Sequence, residues 1–157
     1  KVYQPLAYYA AYFTIRAEGS FNAPVILKGL ESQKAELARI AALEHSTAVE
    51  KGNATVIEVA AEMYLRGMEF LPIDLDRSDA SEFKMVDGKL LPPFNCIPAL
   101  GDAVAKEIVR ARDEHLFTSK EDLKKRGKVS QSIIDTMDSM GILKNMPDEE
   151  QISLFSF

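Results

Sequence analysis

The chain has 157 residues, of which 46% are hydrophobic and 27% are charged, and its formal net charge is −5. This composition fits one globular domain with a short appendage and excludes the disordered and fibrous classes. The single cysteine, Cys96, excludes an internal disulfide and a cysteine-based metal site, and it is compatible with a reducing cytoplasm. The chain begins at Lys1 without a signal peptide, so we interpret it as part of a longer soluble protein.

The charge is unevenly distributed along the chain. An acidic protein is poorly suited to nucleic acid on average, because a duplex binder needs cations that displace the counterions on phosphate. Residues 97–130, however, hold 8 Lys and Arg against 6 Asp and Glu, whereas residues 1–96 hold 10 against 13 and residues 131–157 hold 1 against 5. A positive stretch between acidic ones is expected when a single surface faces a polyanion.

Three helices are predicted in the first third of the chain. Pro5 suits the first turn of a helix, and the residues that follow are apolar through Phe13 but too few to cross a bilayer. A helix that is apolar all round needs cover on several sides, which leaves two interpretations: burial within this domain, or packing against missing polypeptide. Two amphipathic helices are predicted over residues 31–44 and 55–66, and Gly67 is suited to cap the second.

The pattern then changes to short extended runs. Residues 70–75 and 82–85 have strand character, and a turn at 87–88 precedes a further run at 89–91. These features predict a small β hairpin. The prolines at 92–93 can neither continue a ladder nor enter a helix interior, so we place a subdomain boundary there.

The segment around residues 97–101 predicts a phosphate-binding turn. Gly101 allows a tight turn, and a helix over residues 102–112 presents unpaired N–H groups and the positive end of its dipole. Lys106 and Arg110 are four residues apart, share one helix face and would flank the same phosphate backbone.

A second segment of the same kind follows. We predict a helix over residues 119–126, a turn at 127–129 and a helix over 130–140, with Ser130 as its N-cap and Gly141 as its stop. Cations gather around this turn, although such a run is often just a solvated helix face. They are Lys120, Lys124, Lys125, Arg126 and Lys128.

These residues resemble those of a known family. The runs LPPFNCIPALG at 91–101, VAK at 104–106 and FTSKEDL at 117–123 are similar to the paired helix-hairpin-helix of bacterial replicative polymerase III alpha subunits of the PolC type. Upstream, the runs PLAYYAAYF at 5–13 and IDLDRSDASEF at 73–83 also resemble the C-terminal portion of that family. The resemblance therefore covers nearly the whole chain.

The resemblance implies a role in DNA replication. In that family this portion grips double-stranded DNA through its phosphates without reading sequence, while the DNA-directed polymerase chemistry and its magnesium ions belong to the missing palm. It implies a protein of the cytoplasm, at the nucleoid, with no membrane contact and no catalytic residue or metal site in this chain. The residues predicted to contact DNA are Ala99, Leu100, Gly101, Lys106, Arg110, Lys124, Lys125, Arg126 and Lys128.

The first hairpin departs from the family pattern at one position. The usual hairpin is glycine-hydrophobic-glycine, whereas this chain has Ala99, Leu100 and Gly101. The resemblance also implies a monovalent cation at such a hairpin. The methyl group of Ala99 would weaken the approach of the backbone to phosphate or to that cation.

A carboxylate pair elsewhere in the chain suggests a competing interpretation. Asp74 and Asp76 are two residues apart, so on a strand they would point to one face and would suit a metal pair. The resemblance places the catalytic aspartates upstream of this chain and matches these two to a downstream element. With Asp79 nearby, we expect hydrogen bonding within a loop instead.

The end of the chain predicts a tethered ligand. Residues 145–150 are polar and interrupted by proline, which is typical of a flexible tether. The next five residues are similar to the pentapeptide that binds the bacterial sliding clamp (beta), in which an amide orients the peptide and two apolar groups enter a pocket. They are Gln151, Ile152, Ser153, Leu154 and Phe155. Alternatively, the last two could fold back onto the core.

We therefore expect a mainly α chain with a small β hairpin, a paired helix-hairpin-helix and a flexible tail. The expected divisions are 1–92 as a helical scaffold, 93–143 as the DNA-binding subdomain and 144–157 as the tail. Two other functions remain open. One is a helix-hairpin-helix appendage of a repair nuclease or ligase, and the other is a helical adaptor that binds only protein.

Overall fold

The computed structural model describes residues 5–149, and within that range it is mainly helical with a small antiparallel hairpin, as predicted. None of the helices in this range is long and apolar enough to cross a membrane. The elements are α1 Pro5–Arg16, α2 Ala23–Ile26, α3 Leu30–Ala41, α4 Ala48–Leu65, β1 Lys84–Val86, β2 Lys89–Leu91, a 3₁₀ turn Phe94–Cys96, α5 Asp102–Glu114, α6 Lys120–Arg126 and α7 Gln131–Ser139.

Helix α1 is buried on one side only. Its Phe13 is fully buried and lies 5.1 Å, ring centroid to ring centroid, from Phe70 and 5.6 Å from Phe21. Such edge-on aromatic contacts add to the free energy of burial. On the other side, Tyr8 is 56% exposed and Ile15 is 79% exposed. The described residues therefore bury the inner face of this helix and leave its outer face open.

Helix α4 begins seven residues earlier than predicted. The hydroxyl of Thr47 accepts from the Glu50 N–H at 3.1 Å, and the Glu50 carboxylate accepts from the Thr47 N–H at 3.0 Å. This reciprocal capping box stabilises a start at Ala48 even though Gly52 follows within the first turns. The predicted end was correct, since Gly67 takes a left-handed φ of +88° directly after the helix.

The β hairpin has the predicted turn. Asp87 and Gly88 have φ values of +52° and +76°, which is the conformation that pairs two short antiparallel strands tightly. In the ladder Met85 pairs with Leu90, whose side chain is fully buried. The run at 70–75 is not a strand beyond Phe70, which forms a single bridge to Leu90.

One buried cluster extends across the predicted boundary at 92–93. It reaches from Tyr9 to Leu143, so both sides of that boundary contribute to the same core. Polar contacts also cross it, since the Arg112 guanidinium donates to the carbonyl oxygens of Leu75 and Ser78. The boundary itself stays a prediction.

The tether predicted from residue 145 is wrong for its first residues. Met146 packs against the core, and the carbonyl oxygens of Pro147 and Asp148 accept from the N–H groups of Lys120 and Glu121 at 2.9 and 3.0 Å. These bonds satisfy donors that the start of α6 leaves unpaired. The predicted clamp ligand, Gln151–Phe155, lies outside the described residues.

Candidate nucleic-acid interface

The first hairpin joins the 3₁₀ turn to α5. Ala99 has a left-handed φ of +67°, Leu100 is buried and donates its N–H to the Ile97 carbonyl at 3.1 Å, and Gly101 is the N-cap of α5. Gly101 has φ −78° and ψ 173°, an extended conformation that any residue adopts. The prediction that Gly101 provides the tight turn is therefore wrong, because the strained residue is Ala99.

The second hairpin, between α6 and α7, repeats this geometry. Lys128 has a φ of +54°, Val129 is buried, and Ser130 is the extended N-cap of α7, with its hydroxyl accepting from the Ile133 N–H at 3.3 Å. Each hairpin thus has a left-handed residue, a buried apolar residue and an N-cap in succession. Both deliver a helix N-terminus with free N–H groups to the surface.

Gly127 is required for space rather than for backbone conformation. Its φ is −80°, but a Cβ at this position would lie 2.7 Å from the Leu123 carbonyl oxygen and 3.2 Å from a Val129 methyl carbon. The second hairpin therefore packs directly onto α6. Gly101 of the first hairpin has no such neighbour within 4 Å.

The two predicted cations of α5 are both paired with carboxylates. Lys106 Nζ lies 3.0 Å from an oxygen of Asp102, and Arg110 lies 2.7 Å from both Glu107 and Glu114. The hydrogen bonds that Arg110 donates to Glu107 and Glu114 raise the pKa of Arg110, and the bond that Glu107 accepts from Arg110 lowers the pKa of Glu107. A phosphate that approaches this face has to replace a carboxylate at each cation.

Lys125 and Lys128, beside the second hairpin, are more exposed than the two cations of α5. Lys125 Nζ pairs with Glu121 at 2.8 Å, and Lys124 Nζ donates to the Gln131 side-chain oxygen at 3.3 Å. Lys128, with 77% of its side chain exposed, lies 3.9 Å from Glu107 of α5. Glu107 therefore links the cations of the two hairpins, and Lys128 is bound only loosely by it.

Arg126 has a different position from the other predicted cations. Its guanidinium donates to the Asp122 carboxylate at 2.9 Å and to the carbonyl oxygens of Ala111 and His115 at 2.6 and 2.7 Å. It also lies over the ring of Phe117. These contacts join α6 to the end of α5, so we do not retain Arg126 among the residues available to phosphate.

A family model described as a helix-hairpin-helix motif matches residues 67–152, which include both hairpins. The chain belongs to the helix-hairpin-helix family. Curated relatives named DNA polymerase III PolC-type are 46% identical over 155 residues in Thermotoga maritima, 49% over 158 residues in Listeria monocytogenes and 47% over 156 residues in Bacillus subtilis. Each match covers 99% of this chain, and the chain spans 11% of the length of each relative.

The helix-hairpin-helix region contains an unpaired polar atom that the sequence did not indicate. Asn95 is buried beside the first hairpin, and its Oδ1 has no hydrogen-bond partner among the described residues. It lines a cleft of about 450 Å³ together with Asn22, Asn53 and residues 97–101. Amide and carbonyl oxygens are suitable ligands for a monovalent cation, so these residues fit the predicted ion. The ion itself stays a prediction.

The aspartate pair forms a loop network, as expected. The Asp74 carboxylate accepts from the Asp76 N–H at 2.9 Å and from the Arg77 guanidinium at 2.9 Å. The Asp79 carboxylate accepts from the Glu82 N–H at 3.1 Å. Within residues 5–149, no group of three or more His, Cys, Asp or Glu side chains is arranged to hold a metal ion.

Proposed function

We propose that this chain is the duplex-binding, C-terminal part of a bacterial replicative DNA-directed DNA polymerase of the PolC type. In this proposal it holds the newly made duplex through phosphates and tethers the enzyme to the sliding clamp, in the cytoplasm at the nucleoid. The observation that carries it is the equivalence of the two hairpins, each with a left-handed residue, a buried apolar residue and an N-cap. The polymerase chemistry and its magnesium ions belong to the part of the protein outside this chain.

The hairpin geometry favours phosphate over bases. Successive N–H groups at the N-termini of α5 and α7, together with the helix dipoles, attract an anion. Flexible side chains such as Lys106, Lys125 and Lys128 add charge without a planar donor pattern that distinguishes one base from another. Contacts of this kind position a duplex but do not specify its sequence.

The exposed side of α1 fits the missing upstream polypeptide. Tyr8 and Ile15 are large apolar residues on the surface of the described chain. The relatives are roughly nine times longer than this chain, so most of such a protein lies elsewhere in sequence. Packing of this face against the rest of the polymerase would bury it and fix the orientation of the hairpins.

Duplex titration over a range of salt concentrations tests the proposal. If three or four phosphates are neutralised, the slope of the logarithm of the binding constant against that of salt is on the order of −3. The variant that tests the site has five alanine replacements, at Lys106, Arg110, Lys124, Lys125 and Lys128. We expect it to lose most of its affinity for random-sequence duplex DNA.

A matched variant has the same net charge but keeps the site. It has five alanine replacements of exposed lysines elsewhere, at Lys28, Lys34, Lys51, Lys84 and Lys144. We expect it to retain most of its affinity. Salt-insensitive binding, or an equal loss in both variants, would contradict the proposal. No detectable binding of the duplex would favour a helical adaptor that binds only protein.

A further inference from the structure

The segment 147–149 lies across the start of α6 and forms an acidic strap. Its attachment is double: the carbonyl oxygens of Pro147 and Asp148 accept backbone bonds from α6, and the Asp148 carboxylate lies 3.2 Å from Lys120 Nζ. Glu149 is exposed on the same segment. The strap thus places two carboxylates against the helix that leads into the second hairpin.

The strap shares a surface with cations assigned to the duplex. A cleft of about 700 Å³ is lined by Asp148 and Glu149 together with Lys124 and Lys125. The pKa of Lys125 is raised by its hydrogen bond to Glu121 and further by Glu149. Asp148, and then Asp138 of α7, raise the pKa of Lys120. The strap carboxylates therefore make the electrostatic potential that a phosphate would meet along α6 less positive.

From this arrangement we infer that the acidic strap is an internal competitor of the DNA phosphate backbone at the second hairpin. The inference rests on the proposed function, because it concerns the regulation of the same site. A strand that contacts Lys124 and Lys125 enters the cleft lined by Asp148 and Glu149, where like charges repel. Duplex binding then requires the Asp148 carboxylate to leave Lys120 and Glu149 to move out of the cleft, which weakens the grip of the chain on DNA.

Competition of this kind has a characteristic salt dependence. A lysine that is held by a carboxylate neutralises phosphate only in part, so fewer of the cations condensed on DNA are released. Once the strap is neutral, Lys120 retains Asp138 and Lys125 retains Glu121, but both lysines contribute more to the electrostatic term of binding. Neutralising the strap should therefore steepen the slope of affinity against salt by about one, as well as tighten binding.

The test uses the full chain with Asp148→Asn and Glu149→Gln, titrated with duplex DNA at several salt concentrations. The control carries Glu44→Gln and Glu58→Gln, which make the same change in net charge at exposed positions on other parts of the chain. We expect the strap variant to bind about fivefold more tightly at low salt than the control, with a steeper slope. The backbone bonds of the strap remain, so circular dichroism and the melting midpoint should be unchanged.

The possible outcomes distinguish failure of the strap inference from failure of the proposed duplex binding. If strap variant and control shift alike, only overall charge matters, and the strap inference is overturned while duplex binding stands. If neither variant nor the unmodified chain binds duplex, the proposed function fails and the inference falls with it. If the double variant melts at a lower temperature, Glu149→Gln alone provides the test, because this side chain accepts no hydrogen bond from α6 in the described structure. An unchanged slope of duplex affinity against salt in that single variant also overturns the inference.

Discussion

Ala99 and Lys128 hold the left-handed backbone conformation at the same step of two successive hairpins. An L-residue in this conformation costs about 1–2 kcal/mol, because its Cβ crowds the neighbouring carbonyl. Glycine takes this conformation without strain, so the side chains of these two residues each add a local backbone strain. At Lys128 the side chain supplies an exposed cation, whereas the methyl group of Ala99 supplies no charge.

Replacing Ala99 with glycine tests this strain. Relief of the left-handed conformation, less the greater entropy of glycine in the unfolded chain, should stabilise the fold by about 0.5–1 kcal/mol. Urea unfolding measures this change. The control is Ala38→Gly on the exposed face of α3, which should destabilise the fold by roughly the same amount. Duplex affinity should be unchanged or improved; a loss on Ala99→Gly would show that the hairpin does not approach phosphate in this way.

At the scale of elements, one guanidinium joins α6 to the end of α5 in addition to their apolar packing. Arg126 donates to the carbonyl oxygens of Ala111 and His115, near the end of α5, while Asp122 holds it from α6 itself. A planar group with several fixed donors can satisfy these oxygens together. Arg126, which the sequence places among the surface cations, therefore helps to hold the two hairpins together.

Arg126→Lys should consequently weaken the fold although it conserves charge. A lysine ammonium cannot span all three acceptors, so we expect a loss of about 2–3 kcal/mol, in the range of hydrogen bonds to charged groups. Thermal and urea unfolding measure it, with Lys125→Ala as the control that leaves the midpoint unchanged. If Arg126→Lys instead reduces duplex affinity with no change in stability, its guanidinium contacts DNA directly.

The helices were predictable where a local signal marks their ends. Ser119, Ser130 and Gly141 bound α6 and α7 as their residue types indicate. The start of α4 was missed although Thr47 and Glu50 have capping-box spacing, because Gly52 lowers the intrinsic preference of that turn for helix. The start of α4 is an error of boundary. The short helix α2 was not predicted, and the run at 70–75 forms no strand.

The positions of the two hairpins were predictable, but the ion pairs around them were less so. The i,i+4 pair of Lys106 and Asp102 follows from helical spacing. The approach of Lys128 to Glu107, and of Lys120 to Asp148, joins residues distant in sequence, so only the packing of α5, α6 and the strap reveals it. Sequence patterns give the cations of a surface but not the carboxylates that hold them.

At the scale of the whole molecule, weak duplex binding and a weak clamp contact are compatible with firm attachment. The chain is acidic overall, and most of its exposed cations near the hairpins have carboxylate partners, so we expect modest affinity for DNA. If the tail also contacts a clamp that encircles the same duplex, each contact raises the effective concentration of the other. Neither contact then needs to be strong alone.

The tail prediction concerns residues 151–157, for which the sequence is the only guide. Full burial of Leu154 and Phe155 in a clamp pocket would contribute roughly 3–6 kcal/mol, part of which is lost in ordering the peptide. We therefore expect micromolar binding to the sliding clamp of the same bacterium, at about 8 kcal/mol. Leu154→Ala with Phe155→Ala should abolish this binding, as measured by calorimetry, whereas the control Ser156→Ala should retain it.

Two further measurements on the same double variant identify the role of the tail. Duplex affinity and the melting midpoint should both be unchanged, because in this proposal the two side chains contribute to neither the hairpins nor the core. A lower midpoint would instead show that they fold back onto the domain, where burying two large apolar groups stabilises it. Undiminished clamp binding would mean that the clamp ligand lies elsewhere in the chain, and Gln151–Phe155 would then have no part in tethering.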